Sequence, residues 1–191
     1  MTAHRFDNRD LARIAMFTAI LAVFSFIRIP VGPVPVTMQT LAVMLAGTVL
    51  GPWLGALSVL LLLALVLIGL PLLGGNGGFA VFVGPTAGYL LGFVIGALIV
   101  GLIAHSGHHM TWWKTAIACI CGGMLIPYIC GVPVTAVILG QSLSNTAWSV
   151  LAFVPGDLAK IVLATLITSA LWKAYPAAFP ASLREHRIQQ A

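Results

Sequence analysis

The chain has 191 residues, of which 60% are hydrophobic and 7% charged, and its mean hydropathy is +1.08. A soluble domain carries roughly 25% charged residues, so 9 Lys and Arg with 4 Asp and Glu cannot coat a water-facing surface. Disorder is excluded as well, because it needs low hydrophobicity and high charge. The composition is that of a single, all-α integral membrane domain.

A spanning helix needs about 20 apolar residues, and six stretches qualify as candidates. The first runs over 11–27, preceded by the polar segment Arg5–Asp10 and ended by Arg28 and the proline-rich run Ile29–Pro35. No small-residue cleavage site follows it, so it reads as a span and not as a signal peptide. The second runs over 36–50, closed by Gly51 and Pro52, and the third over 54–70, closed by Pro71. The fourth covers 85–104, with Pro85 suited to its first turn. The fifth covers 114–139, where Pro127 and Pro133 are expected to kink or divide it. The sixth covers 150–172.

Six spans place both termini on one side. With the termini inside, Arg5, Arg9, Arg13, Lys114, Lys173, Arg184 and Arg187 are cytoplasmic, which is the arrangement the positive-inside rule favours. This N-in/C-in placement leaves 29–36, 71–84 and 140–149 as outer connections. It also accounts for the net charge of +5 without nucleic acid, which would need basic residues gathered on one exposed face.

Two charges stand inside the sixth span. Asp157 and Lys160 are three residues apart and so share one helical face. Each costs about 2.5–3.5 kcal/mol at the bilayer centre. Pro155 precedes them, so Asp157 falls in a first turn, where the helix dipole favours a carboxylate. The pair is either a ligand site facing a polar cavity or an ion pair that orients helices. Between the third and fourth spans, Gly74-Gly75-Asn76-Gly77-Gly78 cannot hold a stable helix. It is either an exposed outer turn or a loop folded inward that presents amides and Asn76 to a ligand. Gln39, near the outer end of the second span, is an amide that needs a partner, on a neighbouring helix or on a ligand.

Gly84, Gly88, Gly92 and Gly96 recur every four residues and mark close helix packing. Ala15 and Ala19 are a weaker signal of the same kind. Cys119, Cys121 and Cys130 read as small buried hydrophobes. His105, His108 and His109 read as part of a hydrated loop, since Gly107 divides them. No carboxylate cluster suits a metal, and no ATP-binding motif is present.

The segments Pro35-Val36-Thr37-Met38-Gln39-Thr40, Gly69 to Gly78, Gly84-Pro85-Thr86-Ala87-Gly88-Tyr89 and Pro155-Gly156-Asp157-Leu158-Ala159-Lys160 resemble, in this order, those of the BioY family. These are the biotin-binding S components of energy-coupling-factor (ECF) transporters. The resemblance implies a six-helix subunit in the plasma membrane of a prokaryote that captures biotin from outside, without a cofactor and without catalysis. It implies partners as well: a transmembrane coupling subunit and a pair of ABC-type ATPases, with the Ala15/Ala19 face docking on the former. Ligand contacts carry over to Asn76, Asp157 and Lys160, and further to Gln39 and Tyr89.

The chemistry of biotin is compatible with these side chains. Asp157 can accept from the ureido N–H groups while Asn76 or Lys160 donates to the ureido carbonyl; Lys160 can instead meet the valerate carboxylate. Three other readings remain at this point: an S component for a different vitamin, an intramembrane enzyme using Asp157 and Lys160 as acid and base, and a purely structural membrane protein.

Overall fold

The computed structural model describes residues 7–29, 34–107, 110–180 and 183. Arg5, residues 30–33 of the proline-rich run, His108, His109, Arg184 and Arg187 lie outside them.

Helix α1 (Asn8–Phe26) starts where the Asp7 carboxylate accepts from the backbone N–H of Asn8. It leads into a short antiparallel ribbon, β1 (Arg28–Ile29) against β2 (Val36–Thr37), with Arg28 opposite Thr37. Helix α2 (Gln39–Leu50) follows directly and is the centre of the molecule. Every residue of it except Thr40 is buried, as expected of a helix that is apolar all round. Gly51, at φ +86°, turns the chain straight into α3 (Pro52–Leu67).

The glycine-rich connection then folds as a turn closed between Leu73 and Asn76, followed by one tight helical turn, Phe79–Phe82. Ser25 ties this loop to α1: its hydroxyl donates to the carbonyl of Leu72 and accepts from the N–H of Gly74. Helix α4 (Ala87–Ala104) packs against α5 (Trp112–Ala118), a π-helical turn (Cys119–Leu125) and α6 (Ile126–Leu139). The glycine stripe makes that contact. A Cβ on Gly88 would stand 2.3 Å from the Cys130 carbonyl oxygen, and one on Gly96 2.4 Å from that of Gly122. Only backbone fits there. Helices α7 (Leu143–Val150) and α8 (Val154–Ala174) complete the bundle.

Several boundaries differ from the sequence reading, each for a local reason. Residues 36 and 37 pair as a strand, so the second span shortens to α2, 12 residues, a rise of about 18 Å. The third, read as 54–70, is 16 residues at 52–67, because glycine at 69 takes φ +106° and ends the helix. Pro85 lies ahead of α4, which Thr86 caps. Pro127 and Pro133 do not divide the fifth span; 112–139 is one helical run. Its π turn ends at residue 125, just ahead of Pro127, so the wider register absorbs the missing N–H. The connection 140–149 is mostly helix α7, started by the Ser142 hydroxyl accepting from the Asn145 N–H. Among the described residues, three runs are long and apolar enough to cross a membrane: Ala87–Ala104, Trp112–Leu139 and Leu143–Ala174.

Candidate functional site

The N-terminal turn of α8 brings the two intramembrane charges to one place. Pro155 sits in the first turn with Asp157 just behind it. Lys160 lies one turn further on, its Nζ 2.9 Å from Asp157 Oδ1. Both residues are buried, at 4% and 6% exposure. A pair this dry persists only if its remaining donors and acceptors are met. They are. Lys160 Nζ also donates to the Thr37 carbonyl at 2.7 Å and to Thr40 Oγ1 at 3.0 Å, which uses all three of its protons. The Tyr128 hydroxyl, from α6, donates to the other carboxylate oxygen of Asp157. Strand β2, α2, α6 and α8 thus meet on one ion pair.

That cluster forms part of the wall of a cavity of about 440 Å³. All five residues read from the sequence as ligand contacts line it: Gln39, Asn76, Tyr89, Asp157 and Lys160. They reach it from different elements, and in different states. Gln39 is 4% exposed and its Nε2 has no hydrogen-bond partner among the described residues. The Tyr89 hydroxyl is likewise buried and makes no hydrogen bond of good geometry; its neighbour Thr135 donates to the Pro85 carbonyl. Leaving a buried donor unmade costs about 1–3 kcal/mol, so two such groups on one cavity wall point to something polar that occupies it. Asn76 is exposed; among the described residues its Nδ2 donates to the Leu73 carbonyl within its own turn and its side-chain oxygen has no donor. The rest of the lining is largely aliphatic and aromatic, with Val34, Leu73, Val81, Leu90, Phe93 and Phe153. An apolar cavity with a few convergent polar groups is the usual form of a small-molecule site.

Ala15 and Ala19 are not part of it. They lie on an exposed face of α1 with Leu11, Met16 and Val23. Phe79 and Trp148 are exposed and do not line the cavity. Arg28, Thr37, Thr40 and Tyr128 also line it, none of them read from the sequence as a ligand contact. Tyr128 sits in an apolar helix, where a tyrosine looks like core. Thr37 acts through its backbone carbonyl, which no residue type announces. Arg28 was assigned to topology only. Among the described residues, no group of three His, Cys, Asp or Glu is placed to hold a metal ion. His105 has a structural part, its Nε2 donating to the Thr48 carbonyl at 2.8 Å.

The chain is similar over most of its length to known proteins. The probable biotin transporter BioY of Bacillus subtilis is 43% identical over 170 residues, covering 85% of this chain and 91% of the relative. The biotin transporter BioY of Rhizobium etli is 39% identical over 180 residues, covering 89% and 96%. That of Rhodobacter capsulatus is 40% identical over 184 residues, covering 90% and 97%. A crystal structure of the S component for biotin from an ECF-type ABC transporter superposes with a TM-score of 0.83 at 32% identity. The match covers 92% of this chain and 100% of that one. The profile of the BioY family matches residues 1–177, and the chain belongs to that family.

Proposed function

We propose that this chain is the biotin-binding S component of an ECF transporter. It is a transport subunit, not an enzyme. The observation that carries the reading is the cavity: five polar side chains from α2, α4, α8 and the glycine-rich loop converge on one apolar chamber, in a fold shared over 92% of the chain with a solved biotin S component.

The cavity suits biotin group by group. Asp157 keeps free lone pairs after accepting from Lys160 and Tyr128, so it can take the ureido N–H groups. The unpartnered Gln39 Nε2 and Tyr89 hydroxyl can donate to the ureido carbonyl, with Asn76 closing the loop side. Aliphatic and aromatic walls cover the thioether ring. Lys160 serves as the counter-ion of Asp157; a ligand group that reached it would have to replace one of three acceptors already in place.

In the plasma membrane of a prokaryote the chain crosses the lipid bilayer as six segments, N-in/C-in. Helices α1 to α3 supply three of them, with α2 shielded from lipid by its neighbours. The concentration of basic residues at one end supports that orientation. The exposed ridge of α1 that holds Ala15 and Ala19 is the docking face for a transmembrane coupling subunit, since small residues admit a partner helix closely. ABC-type ATPases bound to that subunit supply the energy, for which this chain has no motif.

Equilibrium binding of labelled biotin to the purified, detergent-solubilised chain tests the reading. The expected result is tight, stoichiometric binding that Asp157→Asn and Lys160→Ala both abolish while remaining folded. Binding that survives both keeps biotin but reduces the pair to helix packing. A folded wild type that binds no biotin sinks the proposal.

A further inference from the structure

Three charged side chains line the cavity, and two of them cancel. Asp157 and Lys160 neutralise each other at 2.9 Å, and the lysine has no proton left to give. The third, Arg28, makes no ion pair among the described residues. The residue is exposed, and its backbone is held in place. The β1–β2 ribbon pairs Arg28 with Thr37, the residue whose carbonyl holds Lys160. From there its guanidinium lies over Gly74. Nη1 is 3.0 Å, and Cζ 3.2 Å, from where a Cβ on that glycine would stand. The bare backbone of the glycine-rich loop is what admits it.

The charged groups of the cavity therefore sum to one positive charge, carried by a planar guanidinium with five donors. Such a fork matches a carboxylate in a two-point hydrogen bond, which a solvated ammonium does not. The rest of the cavity is either apolar or able to bond a neutral polar ring. We propose that Arg28 recognises the carboxylate of the ligand and selects for an anionic side chain. The assignment rests on the biotin reading and orients the ligand: the neutral head lies at the Asp157–Lys160 cluster, and the carboxylate at the loop beside Gly74.

Biotin and biotinamide differ only in that carboxylate, and titrating both ligands against wild type, Arg28→Gln and Arg28→Lys in detergent tests it. Wild type should prefer biotin by about tenfold or more. Arg28→Gln should bring biotin down to the biotinamide level and leave biotinamide unchanged, which also shows that the variant is folded. Arg28→Lys should restore part of the preference. Added salt should weaken biotin binding in the wild type but not in Arg28→Gln. An unchanged ratio in Arg28→Gln, an equal loss for both ligands, or a preference erased by Lys160→Gln in its place would overturn the assignment while leaving biotin as the ligand. A wild type that binds neither ligand would overturn the biotin reading itself, and the assignment with it.

Discussion

Helix α2 is held at both ends by a basic side chain from another element, and the two ends solve the same problem differently. At its N-terminal end Lys160 donates to the Thr37 carbonyl and the Thr40 hydroxyl. At its C-terminal end His105, one residue past α4, donates to the Thr48 carbonyl. Both anchors satisfy oxygens at an end of the helix. Among the described residues only the first has an acid beside it: Asp157 lies at 2.9 Å, held in turn by Tyr128. The lysine end can therefore be charged in a buried place, and so can act on a ligand. Among the described residues the histidine end has no counter-ion, and burial pushes the imidazole below its ordinary range, the bond to Thr48 offsetting part of that. The presence of the acid makes the difference.

Removing that acid is the strongest way to break the contrast. Asp157→Ala leaves the Lys160 ammonium buried against neutral oxygens alone, and losing one partner of a buried pair costs about 3–5 kcal/mol. The expected outcome is a large fall in thermal stability together with loss of biotin binding. Asp157→Asn, of the same shape, should be milder in stability and as severe in binding. If Asp157→Ala melted like wild type, the pair would not be structural at all.

Tyr128→Phe tests the same end more gently. It keeps the ring and deletes the one hydrogen bond to the second carboxylate oxygen. Hydrogen bonds to a charged group contribute about 1.5–3 kcal/mol, so biotin should bind at least tenfold more weakly. Because the Tyr128 hydroxyl bonds Asp157, its substitution should cost less in melting temperature in the Asp157→Asn background than in the wild type. Fully additive losses of stability in that double-variant cycle would mean that Tyr128 and Asp157 act independently.

These residues also show how far the sequence could be read. Asp157 and Lys160 were legible because a charge in an apolar span has few reasons to be there. Gln39 was legible for the same reason in weaker form, and Asn76 because the glycines around it cannot hold a helix; all of them line the cavity. Tyr128 was not, since its aromatic body gives a reason to be buried and hides the hydroxyl. Thr37 was not, because its contribution is a backbone carbonyl positioned by pairing with Arg28 across a proline-rich loop. The helices were legible as apolar runs, whereas their ends were not. Ser142, Ser144 and Asn145 look like loop, yet Ser142 caps α7. The π turn at 119–125 depends on how α4 packs against glycine backbone, and no local pattern encodes that.

The histidine end gives the smallest effect and the sharpest sign. The His105 imidazole has a lower pKa folded than unfolded, burial being the larger cause and the Thr48 bond the opposing one. Below the ordinary histidine range, about 6.5, the unfolded chain therefore binds the extra proton more readily than the folded one. Stability rises with pH wherever the unfolded state holds more protons. The contribution from His105 is thus complete at neutral pH and is lost as pH falls from that value toward the folded pKa. Melting temperatures of wild type and His105→Gln, measured from pH 7.5 to pH 5, should converge on acidification, because the glutamine keeps a donor for the Thr48 carbonyl and carries no titrating group. Parallel curves would mean that the imidazole is solvated. A wild type that instead gained stability relative to the variant at low pH would mean that an unrecognised acid accompanies His105, and the two ends of α2 would then be alike.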